Sequence, residues 1–174
     1  MNIVEFIDKQ TQVSRQLTKN LISDIPDDLW YTVPEGINSN IAWQIGHLII
    51  SQSYHSVLVI TDNNKQILDT IPMLDYVKKY SFNSKAGKED QPVPDTLRNQ
   101  LDLVNKIARC ELQKLTMEDL DKPLEPTRMP HPIAKTKYEA LTWNFRHEMW
   151  HCGQIAMIKR GMGLPIVIKQ IPVG

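Results

Sequence analysis

TKYEALTWNFRHEMWHCGQIAMIKRGMGLP, Thr136 to Pro165, is the stretch on which the fold turns. It opens on Thr136-Lys-Tyr-Glu139, a capping box in which a threonine oxygen and a glutamate carboxylate satisfy each other's free backbone N–H groups. A helical pattern then persists to Arg160, where Gly161 and Gly163-Leu-Pro165 stop it. Inside lies His147-Glu-Met-Trp-His151, the His-Glu-x-x-His of a zinc metalloprotease helix. A protease of that kind takes its third ligand from downstream, a glutamate on a later helix or the last histidine of H-E-x-x-H-x-x-G-x-x-H. Here no Asp, Glu or His follows His151, and the glycine and histidine positions of the longer motif hold Gln154 and Met157. Such enzymes also build on a sheet, and nothing in this chain alternates with period two long enough to make one. The protease reading fails, and the stretch is one long helix carrying two histidines on one face.

Working outward, 174 residues suffice for one domain, 1–174, with a real core, whereas two would be cramped. The formal net charge is zero with no basic tract, which gives nucleic acid no electrostatic footprint. The best apolar run, Ile45 to Ile50, is broken by Gly46 and His47, so no membrane span is expected. The start, MNIVEFIDKQ, lacks the basic and apolar regions of a signal peptide. Two cysteines, Cys110 and Cys152, make no disulfide framework and suit a reducing, cytoplasmic setting.

Three further helices are expected. From Asn2 to about Ile22, the residues Ile3, Phe6, Val13, Leu17 and Leu21 recur at helical steps, and Asp24-Ile-Pro-Asp-Asp28 ends the run. A second helix starts in Asn38-Ser-Asn40, whose side chains can cap it, and continues through Trp43, His47, Ile50 and Tyr54 to about Thr61. A third follows Pro94-Asp95 with Leu97, Leu101, Val104, Ala108, Leu112 and Leu115. The expected fold class is all-α, a four-helix bundle. Its connections Asp62–Val93 and Leu120–Lys135 read as long loops, and Ile166-Val-Ile168 as an extended tail packed on the bundle.

His147 and His151, four apart on a helix, can reach one cation, but two ligands are half a site. The third must come from upstream. His47 lies on the stripe of Trp43 and Tyr54, and an imidazole on a buried face needs partners for its nitrogens. Taken alone, each of these histidines also fits a satisfied core position. His55, about 80° further round the helix, and His131, between two prolines, are poorer candidates. A di-iron carboxylate bundle is excluded, because Glu148-x-x-His151 has no second Glu-x-x-His to match it. Glu148 is a candidate general base or an interhelical ion-pair partner, about 80° from the histidines. Gln154 and Asn144 lie nearer the ligand stripe, as orienting or packing residues. Cys152 reads as a small core residue, and Trp43, Trp143, Trp150 and Tyr54 as core aromatics, with Trp43 and Tyr54 placed to line a pocket.

Three stretches together resemble the DinB/YfiT-like superfamily, whose name is shared with an unrelated DNA polymerase. They are Asn40-Ile-Ala-Trp-Gln-Ile-Gly-His47-Leu48, the helix start Thr136 to Leu141, and His147-x-x-x-His151-x-Gly153-Gln154 closing on Gly161-x-Gly163-Leu-Pro165. The resemblance implies a four-helix bundle holding one divalent metal ion per chain, zinc or nickel, on His47, His147 and His151. It also implies a homodimer, and a thiol S-transferase-like or hydrolytic activity on a small molecule, with a low-molecular-weight thiol as co-substrate in the transferase case. Three neutral imidazoles leave an open coordination position, the catalytic rather than the structural pattern. A bundle that binds a metal or small ligand without turnover, as a sensor or stress-response protein, is the competing expectation.

Overall fold

The computed structural model describes residues 1–61, 64–167 and 169. Among them are seven α-helices and no strand: α1 Ile3–Ile22, α2 Ile41–Ser53, α3 Lys65–Thr70, α4 Met73–Tyr80, α5 Pro94–Leu112, α6 Met117–Leu120 and α7 Lys137–Gly161. A 3₁₀ turn at Asp27–Leu29 precedes α2, and a π-helical turn at Tyr54–Leu58 follows it. The four long helices are those expected, and their starts are fixed by the expected chemistry. Asn40 accepts the Trp43 N–H at 2.8 Å, Pro94 opens α5, and Thr136 with Glu139 forms the capping box of α7. Asn2 and Glu5 form another at α1.

α2 lies in the middle, packed on α5, α7 and α4, while α1 packs on α7 and α5. Twelve of its thirteen residues are buried, so it leaves no face to solvent. Its neighbours supply Leu97, Leu101, Val104 and Ala108 from α5 and Ile155 and Ile158 from α7. A smaller cluster at the other end joins Ile7, Val59, Ile60, Leu112, Ala140 and Leu141.

Two expectations are corrected, the loop 62–93 and the buried face of α1. The segment Asp62–Val93 is not a bare loop: from Asn64 on it forms α3 and α4, which place Ile67, Ile71, Tyr76 and Tyr80 in the main core. Asp62 and Asn63 themselves lie outside the described residues. The Leu120–Lys135 connection is the long loop expected, leaving the end of α6 and carrying only an isolated bridge of Pro123 with Thr136. On α1 the buried face is Ile7, Thr11, Ser14, Arg15, Thr18, Leu21 and Ile22, while Phe6 is 37% exposed. The apolar stripe read from the sequence is turned aside by a polar requirement: Arg15 has a buried partner to meet. Of the tail, Ile166 packs against the core, and Ile168 lies outside the described residues.

Candidate metal centre

α2 and α7 face each other in antiparallel fashion along a shared polar seam. α2 contributes Gln44, His47 and Ser51, at steps of three and four residues that keep them on one face. α7 contributes His147 and His151. All five are buried. Each of the three histidines offers a ring nitrogen within 4.8 Å of the others, so the group can hold a metal ion. For comparison, zinc 2.0–2.1 Å from two imidazoles at a tetrahedral angle keeps their nitrogens about 3.4 Å apart; His147 Nε2 and His151 Nε2 are 3.1 Å apart.

The remaining nitrogens decide whether these residues fit a metal. His47 Nδ1 is 2.7 Å from the carbonyl oxygen of Tyr80 and must donate to it. Its proton therefore sits on Nδ1, and Nε2 is left as a buried lone pair with no hydrogen-bond partner among the described residues. His151 Nδ1 donates to Gln44 Oε1 at 2.5 Å. That amide is oriented in turn by donating from Nε2 to Ser39 Oγ and Gln154 Oε1. His147 Nδ1 meets Ser51 Oγ at 2.9 Å. Each imidazole thus has one nitrogen held by an outer partner and the other turned into the cluster, the arrangement that sets tautomer and ring orientation in metal-binding histidines. Burial and the neighbouring rings push His147 down to about 4 and His151 to about 2, and burial lowers His47. All three are neutral at neutral pH, as metal ligation requires.

Aromatic rings wall the cluster. Trp43 stacks on His47 at 5.1 Å, and Phe82, itself 73% exposed, meets the same ring edge-on at 5.2 Å. Trp143 stacks on His147 at 5.7 Å. Trp150 lies beside both α7 histidines but is 57% exposed, so it is not the core aromatic expected. Tyr54 stacks on His131 and donates to the carbonyl of Met129.

Glu148 is placed elsewhere. Its carboxylate accepts from Arg15 Nε at 2.7 Å and Thr18 Oγ at 2.8 Å, in a pair that is almost wholly buried. Arg15 also donates to Gln52 and to the carbonyl of Leu101, so one guanidinium ties α1 to α2, α5 and α7. Cys152 is buried beside Thr18, with its thiol pushed up to about 11 by burial, too high for a thiolate nucleophile. Gln154 acts through Gln44, and Asn144 is buried with its Nδ2 unpartnered among the described residues.

Sequence reasoning missed Gln44, Ser51 and the Tyr80 carbonyl. The first two carried a signal, since polar residues three and four positions from His47 on an otherwise apolar helix share its face. The third, a backbone atom on an unforeseen helix, carried none. It also passed over His55 and His131, which the structure brings together at 2.6 Å beside His147. His55 lies within the π turn, marked by the Val59 N–H to Tyr54 carbonyl bond, that continues α2.

A family model described as the DinB superfamily matches residues 10–155. A crystal structure of a conserved protein from Enterococcus faecalis is similar at a TM-score of 0.65, with 13% identity over 94% of this chain and 99% of that one. At that identity the likeness speaks for the fold alone. No curated protein matches.

Proposed function

This chain belongs to the DinB superfamily, and on that premise we propose that it is a metal-dependent enzyme acting on a small molecule, by thiol S-transfer or hydrolysis. The observation that carries the reading is the orphaned Nε2 of His47, turned into a cluster whose other two imidazoles are pinned from outside. An unpaired buried acceptor costs stability, and a cation shared with His147 and His151 removes that cost. One divalent ion per chain, zinc or nickel, suits three imidazoles. When bound, such an ion lowers the pKa of a coordinated water or thiol and so supplies a nucleophile at neutral pH. In this reading Tyr80, Gln44 and Ser51 hold the ligands in orientation, and Trp43, Phe82 and Trp143 offer an apolar wall to the substrate. A low-molecular-weight thiol is the co-substrate in the transferase case. Glu148 acts as a tether between helices, its carboxylate committed to Arg15.

A single domain over residues 1–174, a cytoplasmic setting and a homodimer belong to the same proposal. The exposed Met149, Trp150 and Met157 on one side of α7 support the dimer. Among the described residues no helix is long and apolar enough to cross a membrane.

A second reading, metal or small-ligand binding without turnover, is favoured by one observation: among the described residues the cluster contains histidines and no free carboxylate to move protons. Elemental analysis followed by turnover assays separates the readings. Purified protein should carry about one divalent ion per chain, and His47→Ala, His147→Ala and His151→Ala should each lose it. Full metal content in the His47 variant would overturn the assignment. Metal without turnover across a panel of thiols, electrophiles and small esters would establish the binding protein instead.

A further inference from the structure

Outside the three-histidine group, the other two histidines of the chain form a pair whose proton positions the geometry fixes. His131 lies in the connection after α6, and its Nδ1 faces two backbone N–H groups, those of Ile133 at 3.2 Å and Ala134 at 2.8 Å. A nitrogen that accepts from two donors carries no proton, so the proton of His131 is on Nε2. That N–H points at His55 Nδ1, 2.6 Å away, and donates to it. His55 Nδ1 is then the acceptor, and the proton of His55 is in turn fixed on Nε2, on the side of the ring away from His131. Among the described residues no protein group accepts a hydrogen bond from that Nε2.

The place of this N–H gives it a use. His55 is buried, and its ring lies 5.9 Å from that of His147, nearly perpendicular to it. It continues the row His47, Ser51, His55 along the face that α2 and the π turn present to α7, and the first two of these already serve the cluster. The pair is braced from behind: His131 stacks on Tyr54 at 5.6 Å, and the Tyr54 hydroxyl is bonded to the Met129 carbonyl. A loop that needed only anchoring would be served by the tyrosine. A second imidazole that sets the tautomer of the first is the device that orients a functional histidine.

We propose that His55, with its proton set on Nε2 by His131, is a ligand-binding residue of the centre. It donates a hydrogen bond to an anionic small ligand or substrate atom, oxygen, nitrogen or sulfur, held beside His147. His131 is its positioning residue. The inference rests on the metal-centre reading above, and it selects for ligands that accept a hydrogen bond over neutral apolar ones.

Two measurements test it. Long-range proton–nitrogen NMR on the full chain without metal should show both His55 and His131 protonated on Nε2, and an Nδ1–H tautomer of His55 would overturn the proposal. Cobalt-loaded protein, titrated with azide and followed by its visible spectrum, should bind azide about tenfold more tightly than the His55→Phe variant, the effect of one lost charge-assisted hydrogen bond. His55→Gln, which keeps a donor, should recover part of the difference, and His131→Phe should weaken azide while leaving cobalt content unchanged. Equal azide affinity in wild type, His55→Phe and His131→Phe, at full cobalt content, sinks this inference and leaves the metal centre standing. Wild-type protein that takes up no cobalt overturns both.

Discussion

Glu148 sits between two histidines of the cluster in the sequence, yet its carboxylate turns the other way, onto Arg15 and Thr18. The helical wheel already set it about 80° from the histidines. What the wheel did not contain was its partner, because an arginine on the packed face of α1 contradicts the apolar stripe Ile3, Phe6, Val13, Leu17 by which that helix is recognised. With both partners almost fully buried, their separate loss is costly, since an unpaired charge stays behind in a low-dielectric core. Glu148→Ala should therefore lower unfolding free energy by about 3–5 kcal/mol, measured by urea denaturation. Glu148→Leu combined with Arg15→Met removes both charges and should recover most of that loss. A Glu148→Ala cost below about 1 kcal/mol, the range of an exposed pair, would show that the pair is not the buried tether described.

Between elements, α2 and α4 approach each other closely beside the cluster, at Gly46. A Cβ placed on Gly46 would come within 2.5 Å of the Tyr80 ring, so only glycine lets the two helices approach as they do. The same tyrosine gives its carbonyl to His47. Gly46→Ala must push Tyr80 away, and metal affinity should fall by roughly 10- to 100-fold, the cost of losing an outer-shell partner, as read by competition with a chelator. Unchanged affinity would mean that the Tyr80 carbonyl does not orient His47. The four long helices were legible in the sequence because their signals are local: Asn40, Pro94 and Thr136 with Glu139 act within a turn. α3 and α4 were not, because their buried residues Ile67, Ile71, Tyr76 and Tyr80 are interrupted by Pro72 and interleaved with lysines and aspartates that read as loop. Excising residues 64–90, a harmless edit to a loop, should on this structure lower both melting temperature and metal content. Retention of both would return the segment to the status of a surface loop.

For the whole molecule, the question is how far the fold depends on its metal. The two apolar clusters contain no residue of the three-histidine group and run the length of the long helices, so the metal-free chain should remain helical and unfold cooperatively. Its weakness should be acid. Burial holds His147 down to about 4, His55 to about 3 and His151 to about 2, against about 6.5 in the unfolded chain. Between those values the unfolded state binds protons that the folded state refuses, so stability is complete above pH 6.5 and is lost as pH falls. By pH 5 each of these three histidines should cost about 2 kcal/mol, a large share of the 5–15 kcal/mol by which domains are folded. Metal acts in the opposite sense, adding about 4 kcal/mol when present at a thousand times its dissociation constant, and protons compete with it for the same nitrogens. Urea denaturation with EDTA at pH 7.5 and pH 5 should therefore show a loss of about 6 kcal/mol on acidification, with helical circular dichroism intact at pH 7.5. The loss should shrink by about a third in His151→Phe, which has no imidazole there to protonate. Equal stability at the two pH values would mean that the imidazoles are not buried as neutral groups, and collapse of the helical signal at pH 7.5 on chelation alone would make the metal, rather than the apolar core, the source of the fold.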